Sequence, residues 1–414
     1  MRFKSTIIGL LLGFIALHSY AQNYSLLLKG GHVIDPKNNI DGIMDIAINA
    51  DTIALVANNI DESEAELVVN ASGLYVVPGL IDLHSHNFHG TEPDAYLSNS
   101  FTALPPDGFS FRTGVTTVVD VGGAGWKNFS TFKEQTIDRS KTRVLSFLNI
   151  VGSGMRGGLY EQNLDDMDGK LTGQMAQQHP EIVGVKVAHY SGPEWKPVEQ
   201  AVIAGEIANV PVMIDFGGHI PPLSLEDLLM EKLRPGDIFT HTFAHVTGRI
   251  PVVDERGNVR PYVYEAQKRG VIFDVGHGGG SFLFRQAVPA LEEGFRPNTI
   301  STDLHTGSMN AGMKDQLNVM SKFLNMKMPL AEVIAASSWN SAQVIKREDL
   351  GHLSVGTEAD IAILSLQEGA FGFIDAGGYK MDGSQKLVCE LTIRAGEVVY
   401  DLNGISRPYW LVKQ

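Results

Sequence analysis

Apolar residues follow two different rhythms along this chain. From residue 25 to about 77, short apolar stretches broken by turn residues recur at 26–29, 32–35, 45–49 and 53–56, which is the spacing of a small antiparallel β unit. The same texture returns at 359–364, 387–393 and 398–401. The two chain ends, 23–77 and 350–414, are therefore expected to form one small β-sandwich domain. Between them the pattern alternates. Strand-length apolar runs at 74–83, 116–121, 144–150, 182–188, 210–216, 238–243, 271–275 and 299–302 are separated by helix-period stretches such as 197–208, 225–233, 262–269 and 282–293. Ser224 stands as N-cap before one of these helices, with Asp227 three residues on, close to a capping box. Such a succession predicts an α/β chain whose middle, 78–349, is a (β/α)8 barrel of the TIM type. A doubly wound open sheet is the alternative. No internal repeat or low-complexity tract interrupts the pattern.

Composition adds a location and removes some partners. Met1-Arg-Phe-Lys4 is basic and leads into an apolar run at 7–17, after which Ser19-Tyr-Ala21 offers small residues for cleavage. Residues 1–22 thus read as a signal peptide. The apolar run is short of the roughly 20 residues that span a bilayer, so no stable membrane anchor is expected after cleavage. Cleavage would take two of the 33 basic residues and none of the 47 acidic ones, moving the net charge from −14 to −16. So acidic a surface argues against nucleic acid as a partner. Cys389 is the one cysteine, so export brings no internal disulfide, and it lies too late for lipid attachment. The expected location is the periplasm or a secreted pool.

The chemistry collects at strand ends. Ile81-Asp-Leu-His-Ser-His86 closes the first barrel strand, and residues two apart on a strand share a face, so His84 and His86 can offer two imidazoles to one metal. Lys186 lies within Val183-Gly-Val-Lys-Val-Ala188. Burial would push such an amine toward its neutral form, which can react with CO2 to give an anionic, metal-bridging carbamate. A lysine that snorkels from the strand end is the structural alternative. His241 ends the sixth strand in Ile238-Phe-Thr-His-Thr242, and Asp303 ends the eighth in Ile300-Ser-Thr-Asp-Leu-His305. A carboxylate at that point can hold a metal with one oxygen and take a proton with the other. Each element is ambiguous alone. Together they fall at the C-terminal ends of strands, the face where barrel active sites assemble.

The Pro78-Gly-Leu-Ile-Asp-Leu-His-Ser-His86 run, the strand-four Lys186, His241 and the Ser301-Thr-Asp303 segment resemble the amidohydrolase superfamily, in the order of its binuclear members with a carboxylated lysine. The resemblance extends over nearly the whole chain after the leader, including Gly356-Thr-Glu-Ala-Asp-Ile361. Val185-Lys-Val-Ala188, Leu233-Arg-Pro-Gly-Asp237 and Phe273-Asp-Val-Gly-His-Gly278 look most like its amidohydrolase/deacetylase branch, related to dihydroorotases. It implies two divalent metal ions, with zinc the default for imidazole and carboxylate donors, and Lys186 N6-carboxylated by CO2. It also implies a small-molecule substrate and hydrolysis of an amide-like bond by a metal-bridging hydroxide, in an N-acyl amino acid or a cyclic amide. Three other readings stay open: a mononuclear deaminase, an ester or lactone hydrolase, and an inactive exported binding protein. A homo-oligomeric state is likewise open.

One position departs from the family. Its members usually end strand five in a histidine ligand, whereas Val212-Met-Ile-Asp215 has Asp215 there. Asp215 is taken as the ligand, with His219 or a weak or empty second site as alternatives. His277, His219, His189 and His305 are softer candidates for substrate contacts, beside His245. The glycine-rich loop 152–158 lacks the Lys-Ser/Thr ending of a nucleotide loop and reads as substrate rim.

Overall fold

The structure is a computed structural model that describes residues 23–90 and 103–410. The signal peptide expected over 1–22 lies outside the described residues. Among the described residues, no helix is long and apolar enough to cross a membrane.

Seven parallel strands form one sheet in sequential order: β1 (Leu80–Ser85), β2 (Val115–Gly125), β3 (Arg143–Asn149), β4 (Ile182–Val187), β5 (Val212–Ile214), β6 (Ile238–Phe239) and β7 (Ile272–Phe273). Such an order, with helices between consecutive strands, curls the sheet around an apolar centre. Ile81, Leu83, Val119, Leu145, Phe147, Val183, Met213 and Ile238 fill part of it, and all are buried. The segment 299–304 lies between the two edges of this sheet. It bridges to β7 through Asp274 and Thr299 and to β1 through Ser85 and Leu304, both in parallel sense.

Strands from both chain ends meet in one sheet, where a sandwich would have two facing sheets. Tyr24–Asp35, Ile40–Asn49, Thr52–Ala57, Ala65–Asn70 and Tyr75–Pro78 join Ile361–Ile374, Lys380–Arg394 and Glu397–Asp401 in a single eight-stranded sheet. One strand, Tyr24–Asp35, makes this continuous. Its first half pairs with Ala65–Asn70 and its second half with Tyr75–Pro78, with an irregularity between Leu28 and Gly31 where the pairing shifts.

Two expectations move. The apolar run at 74–83 is two strands in two sheets, parted at Gly79, where a Cβ would meet Thr116 Oγ1 at 2.3 Å. The later strands of the parallel sheet are also shorter than their apolar runs. His189, His241 and Asp303 each take φ between 53° and 57° just past strand ends, a left-handed conformation that cannot continue a ladder. The helices Lys196–Ala208, Pro261–Arg269 and Phe284–Glu292 fall close to where the periodicity puts them. Ser224 Oγ caps its helix by accepting from Asp227 N at 3.1 Å.

Candidate metal centre

Each donor is delivered by a strand end and then held from behind. Asp82, buried in β1, accepts from Thr302 N at 3.0 Å and from Thr302 Oγ1 at 2.5 Å, and burial pushes its pKa up to about 7. Next to this tie, Asp303 N donates to the His84 carbonyl at 2.7 Å and His86 N to the Leu304 carbonyl at 3.0 Å. The stitched backbones set Asp303 Oδ1 3.0 Å from His86 Nε2 and 3.6 Å from His84 Nε2. Donor atoms of His84, His241 and Asp303 all lie within 4.8 Å of one another.

The rear nitrogens of two histidines are committed. Thr240 Oγ1 gives its one proton to Asp274 Oδ2 at 2.7 Å, so it accepts from His84 Nδ1 at 3.1 Å. His241 Nδ1 donates to the Gly276 carbonyl at 2.6 Å. Both rings therefore turn Nε2 inward, the arrangement by which outer partners orient metal-binding imidazoles. Burial, helped by Lys186 and His241, holds the His84 pKa well below its ordinary value and keeps that ring neutral, the form that ligates.

Lys186 is 1% exposed. Among the described residues its Nζ has only Met213 Sδ, 3.7 Å away, as a hydrogen-bond partner. Burial lowers its pKa against the opposing pull of Asp215 and Asp303. Asp215 follows β5 and turns Oδ2 to 3.4 Å from His241 Nε2 and 3.7 Å from His189 Nε2. Burial raises its pKa, but His241 and Lys186 outweigh that and hold it well below the ordinary carboxylate value. Burial likewise works against ionisation of Asp303, and His86 and His241 reverse the effect.

His84, His86, Lys186, Asp215, His241 and Asp303 line one cavity of about 200 Å³. His189, His305 and, from the glycine-rich loop, Met155 and Gly157 complete much of its wall. The donor set suits divalent cations: imidazoles, ionised carboxylates and a desolvated amine converge. The cavity opens beside a wider vestibule of about 710 Å³ lined in part by Val246, Arg249, Gly279 and Gly280.

Not every expected residue arrives there. His277 is fully buried, stacked on Phe282 with ring centroids 4.4 Å apart. Its Nδ1 donates to the Gly278 carbonyl and its Nε2 accepts from Lys322 Nζ at 2.7 Å. Both ring nitrogens are thus occupied away from the cavity wall, and the substrate contact expected of His277 is replaced by a partnership with a buried lysine. His219 packs against Phe216, 4.7 Å between centroids, and shares a small recess with Asp215 behind the cavity. It is Asp215, not His219, that lines the cavity itself. His245 is exposed.

Two residues that matter were not among the candidates read from the sequence. Glu161 is 2% exposed and lines the cavity, with Oε2 accepting from His189 Nδ1 at 3.0 Å. Burial works against the His189 charge, but Glu161 and Asp215 prevail and push its pKa up to about 9. Asp274 gathers Thr240, Thr299 and Ser301 hydroxyls around one buried carboxylate. Its signal was present: like Asp215, it stands one residue past an apolar strand.

Gly278 is a further constraint. It has φ 55°, and a Cβ there would lie 2.2 Å from Asp303 Oδ2. Gly278→Ala is expected to cost about 1–2 kcal/mol for the left-handed backbone. Displacing the carboxylate should also lower kcat by about 10²-fold, as misplacement on the 1 Å scale does. Steady-state rates at saturating metal, with a thermal melt, check both.

Comparison with known proteins follows this geometry. A family model described as the amidohydrolase family matches residues 284–399. A deacetylase of Brucella anthropi is 33% identical over 82% of this chain and 83% of its own length. Among solved structures, an adenine deaminase superposes with a TM-score of 0.81 at 27% identity, covering 92% of this chain and 100% of that one. A dihydroorotase does so at 0.78 and 29%, covering 91% and 99%.

Proposed function

Because the chain belongs to the amidohydrolase superfamily and is a hydrolase of carbon–nitrogen bonds, we propose that it is a metal-dependent hydrolase of amide-like bonds, acting on an N-acyl amino acid or a cyclic amide. The observation that carries this reading is the convergence on one cavity of six metal-capable side chains, two from β1 and its end and one each from β4, the ends of β5 and β6, and the segment 299–304. In this reading the segment 299–304 is the eighth strand of a closed (β/α)8 barrel, and the chain is exported.

His84, His86 and Asp303 would hold one divalent ion, His241 and Asp215 a second, with Lys186, carboxylated, between them. What bound cations supply there is a water acidified from a pKa of ~16 toward ~7 and a Lewis acid for the scissile carbonyl. The protein's own groups do the rest. Asp303 Oδ1 faces His86, and Oδ2 is left to accept the proton of the attacking water and return it to the departing nitrogen. The cavity wall limits bulk water, and the vestibule takes the remainder of the substrate.

The likeness to an adenine deaminase favours a second reading, hydrolytic deamination of a heterocycle. Metal analysis and a substrate panel separate the two. The expected result is about two divalent ions per chain and turnover of an N-acyl amino acid or cyclic imide. Ammonia release from adenine or a related amine would select the second reading. Protein that holds no metal and stays inert with zinc or manganese plus bicarbonate would overturn both, leaving an exported binding protein.

A further inference from the structure

The second metal position lacks the strand-five histidine of its relatives, and its immediate donors are Asp215 and His241. His189, just past the end of β4, reaches over the same point. Its Nε2 stands 3.7 Å from Asp215 Oδ2, and that oxygen stands 3.4 Å from His241 Nε2. Both separations exceed the ordinary hydrogen-bond range of roughly 2.7–3.2 Å. They are close to the edge, about 3.4 Å, of a tetrahedron of donors 2.0–2.2 Å from a central ion. A second feature is independent of these distances. Glu161, 2% exposed on the cavity wall, holds His189 Nδ1 with Oε2 at 3.0 Å, while its Oε1 has no hydrogen-bond partner among the described residues. Carboxylate–histidine pairs of this kind fix the tautomer of a metal-binding ring and aim its other nitrogen. His84 and His241 are held from behind in the same way, by Thr240 Oγ1 and the Gly276 carbonyl.

We propose that His189, positioned by Glu161, is a ligand of the second metal together with Asp215 and His241, making up for the histidine that strand five lacks. This rests on the two-metal reading above. It reassigns His189 from substrate contact to metal ligand and gives Glu161 a positioning role.

Cobalt(II) alone, titrated into chelator-treated full-length protein, tests it without turnover. Wild type should take two equivalents. His189→Ala should keep one tight equivalent and bind the other at least about 10²-fold more weakly, and Glu161→Gln should weaken that equivalent by about 10–100-fold. His189→Cys should add sulfur-to-cobalt charge-transfer absorption in the near ultraviolet. The native Cys389 is buried in the other sheet and does not interfere. His189 is about half exposed, so these variants are expected to fold, with circular dichroism as the check. Two equivalents at wild-type affinity in His189→Ala, with no new band in His189→Cys, would overturn the assignment and leave the proposed function standing. One equivalent in wild type would overturn both the assignment and the two-metal reading.

Discussion

Asp303→Asn is expected to reduce turnover by at least about 10³-fold while leaving the fold and much of the bound metal in place, from the size of general acid–base effects. The side chain keeps its shape, and the backbone tie from Asp303 N to the His84 carbonyl does not involve the carboxylate. What is lost is an oxygen that can receive a proton. In the native protein the pull of His86 and His241 overcomes the penalty of burial and keeps Asp303 ionised, the form that the proposed role as base requires. An amide oxygen beside the same histidines can still accept a hydrogen bond, but it cannot carry a proton to a leaving amine. Rates near wild type in a metal-replete Asn variant would remove Asp303 from the catalytic role.

Lys186→Met carries the next largest effect, with opposite consequences for activity and stability. Activity should fall by about 10²-fold or more if Lys186 holds metal as proposed, because loss of such a group weakens a site at least as much as loss of an outer partner. The apo protein, by contrast, should be as stable as wild type or more so at neutral pH. The folded-state pKa of Lys186 is depressed, chiefly by burial. Its contribution to stability is therefore full above the unfolded value of about 10.4 and declines as pH falls toward the folded pKa. A thioether of similar length beside Met213 has no such dependence. Thermal melts of chelator-treated proteins from neutral to alkaline pH should converge as pH rises. Labelled bicarbonate should be incorporated into wild type and not into the variant. A variant that keeps full activity, or a wild type that takes up no label, would count against carboxylation of Lys186.

Much of the candidate site is legible in the sequence because its chemistry sits at the ends of apolar runs. His84, His86, His241 and Asp303 are polar residues where a strand pattern stops, Asp215 shares that position, and Lys186 stands one residue before its strand ends. All six line one cavity. Asp274 also stands where a strand pattern stops, whereas Glu161 has no such marker. Glu161 lies in a short irregular helix after a glycine-rich loop, and its part depends on His189, 28 residues away. His277 stands in as suggestive a motif as any of the ligands, yet it turns away, stacked on Phe282 with its Nε2 held by Lys322 of a later helix. The extended hairpin Ile361–Ile374 and Lys380–Arg394 outruns the apolar stretches that predict it. Its outer part is mostly polar, and Asn325 and Ser321 of a neighbouring helix hold its second strand.

By itself, then, the sequence determined the strand and helix order and the set of side chains able to bind a metal, since both follow from local periodicity and from which residue ends each strand. Tertiary structure alone decided which nitrogen each histidine presents and which carboxylate it meets. Those choices rest on contacts such as Thr302 to Asp82, 220 residues apart, and His84 to Thr240, 156 apart. They rest also on left-handed turns at His189, His241 and Asp303. A pattern read along the chain contains neither, because packing between distant segments sets both.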